Sequence, residues 1–394
     1  MGGAETATGD QETDIVGGRA ESHQGSHGET VGGLPEGTQV CSVARSRRLA
    51  AEGHLGTAAF TDNTPMNRLL GMRTLVPPRT ICLTLIGVCY GFQIPKDPPR
   101  QFRLTAKSAS FWKLLDRRAT LERIAGDFGF TEGPVWDPSG FLYVSDEEAN
   151  RIFRLYPDGR REVFFQTGDP DGSTLDRDHK LVTTASVLRA VVKVQQDGSF
   201  RVLADKFNGK RFNSPNDIVL GPDGALYFTD PTLDLPKGEQ QEIPFQGVYR
   251  LGADGTVRLL TRELTQPNGL AFSPDGKHLY IDDSERRDIR VYDVSGNGNL
   301  INGRVFATEA GAPKSGVPDG MKVDQDGNLF VTGPLGVWVW DDRGNHLGTI
   351  VMPKQPANFA WGDADFRTLY ITATTSVYRI KTKTRGFVPY MHKP

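Results

Sequence analysis

Five segments of the 394-residue chain can be laid over one another: Glu132-Gly-Pro-Val-Trp136, Asn216-Asp-Ile-Val-Leu220, Asn268-Gly-Leu-Ala-Phe272, Asp319-Gly-Met-Lys-Val323 and, more weakly, Ala357-Asn-Phe-Ala-Trp361. A sixth, degenerate copy at Pro170-Asp-Gly172 puts Asp171 at the same leading position. Asn or Asp before Gly most often just makes a turn. That reading does not account for Glu132, a poor turn former, nor for carboxylates and amides recurring at one place in a repeat. Brought to one axis, two or three such carboxylates repel one another strongly, and a divalent cation removes the repulsion. Glu132, Asn216, Asn268 and Asp319 offer only hard oxygen atoms and about two negative charges, which suits Ca2+ best, with Mg2+, Mn2+ and Zn2+ as alternatives. A cation so held, with water or substrate completing its shell, can polarise a carbonyl and activate water, which is the chemistry of hydrolysis.

The frame in which these positions recur shows how they can meet. Each leading segment is followed by a turn and a second apolar strand, as in Phe141-Leu-Tyr-Val144, Ala225-Leu-Tyr-Phe228, His278-Leu-Tyr-Ile281, Asn328-Leu-Phe-Val331 and Thr368-Leu-Tyr-Ile371. The turns between them, such as Gly221-Pro-Asp-Gly224 and Ser273-Pro-Asp-Gly276, place Pro or Asp ahead of Gly as hairpin loops require. Leading residues are spaced by 39, 45, 52, 51 and 38 positions, the length of a four-stranded propeller blade. The last copy is too short to complete its own fourth strand. Thr120-Leu-Glu-Arg-Ile124, ahead of the first copy, is expected to supply it and close the ring, leaving no open edge. The expected fold is all-β: a six-bladed β-propeller over residues 111–386, its innermost strands lining a central channel onto which the leading residues converge.

Composition bounds the rest. Lys and Arg total 46 against 48 Asp and Glu, a balance that argues against a polybasic nucleic-acid binder. Cys41, Cys82 and Cys89 all precede the expected domain, and no HExxH or CxxC occurs, so disulfides, thiol catalysis and a soft-ligand zinc site are not expected there. Residues 1–65, rich in Gly, Thr, Glu and Ser, read as a disordered or non-native extension. Residues 66–92 carry Arg68, Arg73 and Arg79 ahead of the apolar run Ile81–Phe92, the pattern of a secretory signal. That implies a periplasmic or secreted protein, or a cytoplasmic one if the run is instead a buried element. The run of 12 residues is too short for a stable membrane span. Residues 93–110, with Pro95, Pro98 and Pro99, read as a linker. A monomer or dimer is expected.

The strings Phe130-Thr-Glu-Gly-Pro-Val-Trp136, Asn213-Ser-Pro-Asn-Asp-Ile218 with Phe228-Thr-Asp-Pro231, Gln266-Pro-Asn-Gly-Leu-Ala-Phe272 and Pro318-Asp-Gly-Met-Lys322 resemble the gluconolactonase / senescence-marker-protein (regucalcin-like) family over residues 120–382. The resemblance implies a six-bladed propeller with one divalent metal, usually Ca2+, that hydrolyses sugar lactones or related small esters. It implies metal ligation by Glu132, Asn268 and Asp319, with Asn216 as a further ligand or substrate contact, and Asp319 as general base. Members close to gluconolactonase carry Glu-His-Gly in the second blade, where this chain has Ala185-Ser-Val187, although Arg189 remains. The regucalcin branch has an Arg two residues before Asn216, and here Ser214 stands there. Both departures remove groups that would hydrogen-bond a sugar, and Asn216, Asp171 and Arg189 are left as the expected substrate contacts. A non-catalytic propeller that binds a ligand or partner around a structural metal, and an organophosphate or ester hydrolase on the same site, are the rival readings. His179, His278 and His346 read as exposed turn residues, and Trp136, Phe272, Trp338, Trp340 and Trp361 as packing between blades.

Overall fold

The computed structural model describes residues 100–392 apart from Thr167 and residues 312–314. The expected extension (1–65) and signal (66–92) lie outside the described residues. Antiparallel hairpins gather the strands into six blade sheets, beside one two-stranded ribbon of Lys206–Phe207 and Lys210–Arg211, and the innermost strands of the blades contact one another in cyclic order, forming the six-bladed propeller. From the channel outward, blade 1 is Thr131–Asp137, Phe141–Asp146, Arg151–Leu155 and Arg161–Phe165, and blade 2 is Pro170–Leu175, Leu181–Ala185, Ala190–Val194 and Phe200–Ala204. Blade 3 is Ile218–Leu220, Leu226–Asp230, Gly247–Leu251 and Val257–Thr261, and blade 4 is Pro267–Phe272, His278–Asp283, Asp288–Val294 and Leu300–Thr308. Blade 5 begins with Met321–Val323, Leu329–Gly333, Gly336–Trp340 and His346–Val351, and blade 6 with Asn358–Gly362, Thr368–Ala373 and Ser376–Lys381. Blade 6 is completed by Glu122–Gly126, which pairs with Ser376–Lys381 and closes the ring as expected.

The folded unit reaches further toward the N-terminus than expected. Arg103–Ala106, inside the stretch read as a linker, pairs with His346–Val351 as a fifth strand on blade 5, and the short helix Phe111–Leu114 follows. The prolines lie ahead of this strand, and Phe102, Leu104 and Ala106 alternate onto the core, which is the pattern of an edge strand rather than of a linker. His346 is likewise not a turn residue. It opens the strand His346–Val351, with its ring stacked 4.4 Å from that of Trp338 and tilted 4.8 Å from that of Trp340.

Adjacent blades are joined by hydroxyls at one position of the second strand. Ser145 donates to the Asp171 carbonyl at 2.8 Å, Thr229 to that of Asn268 at 2.8 Å and Thr332 to that of Ala357 at 2.9 Å, and Thr184 bonds the Asn216 carbonyl in the same way. Every carbonyl in this set belongs to a leading residue of the repeat. The contact that holds one blade to the next therefore also fixes the backbone at the channel mouth.

The C-terminal segment crosses the opposite end of the channel. Gly386 donates to Phe366 of blade 6, Phe387 to Val323 of blade 5 at the far end of its inner strand, and the Tyr390 hydroxyl to the Trp136 carbonyl of blade 1 at 2.6 Å. Tyr390 also packs against the apolar clusters of blades 1 to 3. Replacing Tyr390 with Phe leaves the Trp136 carbonyl without this donor and is expected to cost about 1 kcal/mol of stability. Urea titration of the two proteins would show it, and a midpoint unchanged within error would mean that this contact does not tie the tail to the hub.

Candidate metal centre and channel

The leading residues sit where the inner strands depart from regular pairing. Strand register shifts between Glu132 and Val135, between Pro170 and Ser173, and between Pro267 and Leu270, so the bulges of blades 2 and 4 contain the leading residue and its glycine, and that of blade 1 begins at the glycine directly after Glu132. A bulge re-aims the side chain it carries, here out of the pleat. In blades 3 and 5 Asn216 and Asp319 lie just before the strands Ile218–Leu220 and Met321–Val323. The glycines are not turn makers, as isolated Asn-Gly or Asp-Gly pairs usually are. A Cβ on Gly133, whose φ is +48°, would lie 1.9 Å from the Asp171 carbonyl oxygen, and one on Gly269 would lie 2.0 Å from that of Asp319. Only glycine lets the next blade's leading residue approach this closely.

Hydrogen bonds aim each donor. Glu132 Oε2 accepts from the Gly133 N–H at 2.7 Å and from Asn358 Nδ2 at 3.0 Å. Asn216 Nδ2 donates to Asp171 Oδ2 at 2.7 Å, so its amide nitrogen is committed and Asp171 serves as its orienting partner. Asn268 Nδ2 donates to Ser284 Oγ at 3.1 Å, and that hydroxyl in turn donates to the Pro318 carbonyl at 2.7 Å, one residue before Asp319. Asn268 Oδ1 is buried and accepts no hydrogen bond among the described residues. Glu132, Asp171, Asn216 and Asn268 are all buried, whereas Asp319 is only partly so and is the member that solvent reaches.

The hub holds more negative charge than the sequence suggested. Asp217 is buried near Lys322, and Asp282 and Glu309 are fully buried with all four carboxylate oxygens lacking hydrogen bonds among the described residues. Asp282 occupies the place taken by the joining hydroxyl in other blades: a Cβ on Gly269 would meet Asp282 Oδ2 at 2.8 Å, as one on Gly133 would meet Ser145 Oγ at 2.9 Å. Burial pushes the Asp282 carboxyl well above the usual range, and neighbouring Asp319, Glu309 and Asp217 push it in the same direction. Burial likewise raises Glu132 to about 7, against the opposing pull of the Gly133 N–H. Asp217 is raised by burial and restrained by Lys322.

These residues fit a divalent cation. Among the described residues no three His, Cys, Asp or Glu side chains gather to hold a metal, and a site here would draw on amides as well as carboxylates. An amide oxygen buried without a partner and carboxylates carrying excess charge are what a hard cation would satisfy. Asn216 and Asp171 stand together at the hub. Arg189 does not present its charge as a free group: its fully buried guanidinium donates to the Phe212 carbonyl at 2.5 Å and to Glu239 at 3.1 Å. It ties down the chain just ahead of the segment that carries Asn216. Ser214 Oγ is also committed, to the Pro231 carbonyl at 2.6 Å. Asn358, Lys322, Asp282 and Glu309 were not anticipated. Asn358 and Asp217 replace the glycine that follows the leading residue in the other blades, and that break in the repeat was the available signal.

Fold and site together define a six-bladed propeller with a set of oxygen donors at its hub. Residues 130–375 match the family model described as the SMP-30/Gluconolactonase/LRE-like region. The gluconolactonase of Zymomonas mobilis is 36% identical over 313 residues, covering 72% of this chain and 87% of that protein. The pentonolactonase of Haloferax volcanii is 30% identical over 250 residues, covering 61% of this chain and 80% of that protein. The solved structure of a gluconolactonase from Xanthomonas campestris superposes with a TM-score of 0.66 at 30% identity, covering 73% of this chain and 99% of that one. The chain belongs to the SMP-30/gluconolactonase/LRE-like family.

Proposed function

We propose that the protein is a lactonase that opens sugar-type lactones, with one divalent cation, Ca2+ by the chemistry of its donors, held by Glu132, Asn216, Asn268 and Asp319. The observation that supports this most directly is the aiming of Asn268: its nitrogen is committed to Ser284 while its oxygen, among the described residues, is buried without a hydrogen bond. A cation held there supplies polarisation of the lactone carbonyl and stabilises the charge that develops on its oxygen. Asp319, the solvent-reached carboxylate, removes a proton from water as the water oxygen bonds to the carbonyl carbon. The same proton returns to the ring oxygen as the C–O bond of the lactone breaks, leaving a hydroxy acid. Asn216, held by Asp171, orients the substrate beside it.

The test is lactone opening by the purified protein, followed in a pH-stat with a δ-lactone, before and after chelation. Turnover that disappears with chelator and returns with Ca2+ is expected. Chelator-insensitive turnover would overturn the reading. A filled metal site without turnover would favour the ligand-binding propeller, and hydrolysis of a phosphotriester but not of lactones would favour the esterase.

A further inference from the structure

One cation of the chain is already in the channel. Overlaying the repeats puts Lys322 at the fourth residue of its copy, where the other blades have Val135, Thr174, Val219, Ala271 and Ala360. Its ammonium donates to Asn358 Oδ1 at 3.0 Å and lies 3.9 Å from Asp217 Oδ2. Asn358 passes the contact on, because its Nδ2 donates to Glu132 Oε2 at 3.0 Å. Lys322 of blade 5 thus faces Asp217 of blade 3 across the channel and reaches Glu132 of blade 1 through one amide.

Charge explains why a lysine belongs there. Glu132, Asp171, Asp217 and Asp319 surround the hub. A single divalent ion offsets two of these charges, and uncompensated buried carboxylates are costly. Among the described residues Asp217 Oδ2 accepts no hydrogen bond, and the ammonium 3.9 Å away is its counter-charge. We propose that Lys322 is the built-in cation of the hub, a positioning residue that offsets the surplus charge, steadies Glu132 through Asn358 and sets the affinity for the divalent ion. The proposal rests on the metal-site reading above.

Two consequences follow from a fixed positive charge beside a divalent site. The metal-free protein depends on Lys322 for cohesion of the hub, and the incoming ion binds against its repulsion. Calorimetric titration of Ca2+ into chelator-stripped protein tests both, alongside melting curves with and without Ca2+. Lys322→Met is expected to bind Ca2+ about tenfold more tightly than the parent. Its metal-free form should melt at a lower temperature and gain more from Ca2+. Lys322→Arg should stay near the parent on both counts, which mere loss of lysine packing would not produce. The double variant Lys322→Met with Asp217→Asn removes a compensating pair and should return to within about threefold of the parent affinity. This variant carries the test if the single substitution does not fold. Equal or weaker binding by Lys322→Met, or a tenfold loss in the double variant, would overturn the proposal. A parent protein that binds no Ca2+ would overturn the metal-site reading itself, before any variant is made.

Discussion

Asp319→Asn is expected to lower kcat for lactone opening by about a thousandfold at saturating Ca2+, with a much smaller change in KM. The substitution keeps shape and one oxygen toward the ion, but an amide cannot take a proton from water. General-base contributions run from about a hundredfold to ten-thousandfold, and the partial exposure of Asp319 marks it as the hub carboxylate that water reaches. Steady-state kinetics at several Ca2+ concentrations separate this loss from weakened metal binding, because extra Ca2+ would restore kcat only in the latter case. If Asp319→Asn retained more than a tenth of the parent kcat under saturating Ca2+, water activation would have to be assigned elsewhere.

Much of this arrangement could be read along the chain because a propeller repeats the same local decisions. Apolar alternation, Pro-Asp-Gly turns and a constant offset from leading residue to second strand are all short-range features, so the blades and even the closing strand Glu122–Gly126 were legible. The leading residues were legible as well, since one repeat position must lie at one place around the axis. Contacts made across the axis were not. Lys322 and Asp217 are 105 positions apart and Asn358 and Glu132 are 226 apart, by residue number, and nothing local announces either pair. Asp282 shows the same limit. Its meaning comes from standing where Ser145, Thr184, Thr229 and Thr332 donate to a neighbouring blade, and a carboxylate at that point becomes noticeable only once those bonds are known. Arg189 differs again: the family resemblance left it as an expected substrate contact, and in the fold its guanidinium is committed to Phe212 and Glu239.

The second large effect concerns pH and the ion. Burial raises the Glu132 carboxyl to about 7 in the metal-free protein, and a carboxylate must be ionised to bind a divalent cation. Above pH 7 the proton is already gone, so Ca2+ affinity should be nearly flat. Below it each bound ion must expel a proton, and apparent affinity should fall about tenfold per pH unit, roughly a hundredfold by pH 5. Competition against a chromophoric chelator between pH 5 and 8 measures this directly. Glu132→Gln isolates the group responsible: it should weaken binding at pH 8 by about a hundredfold through loss of one ligand charge, and it should flatten most of the remaining slope. The direction for the metal-free fold is opposite. A carboxyl raised above its unfolded value stabilises the fold at low pH and loses that contribution as the pH rises through about 7. Chelated protein should therefore gain less from a shift to pH 8 than the Ca2+ form, in which the ion replaces the proton as the partner of Glu132. A Ca2+ affinity in the parent that stayed constant down to pH 5 would show that ion binding displaces no proton from Glu132, and this prediction would fall.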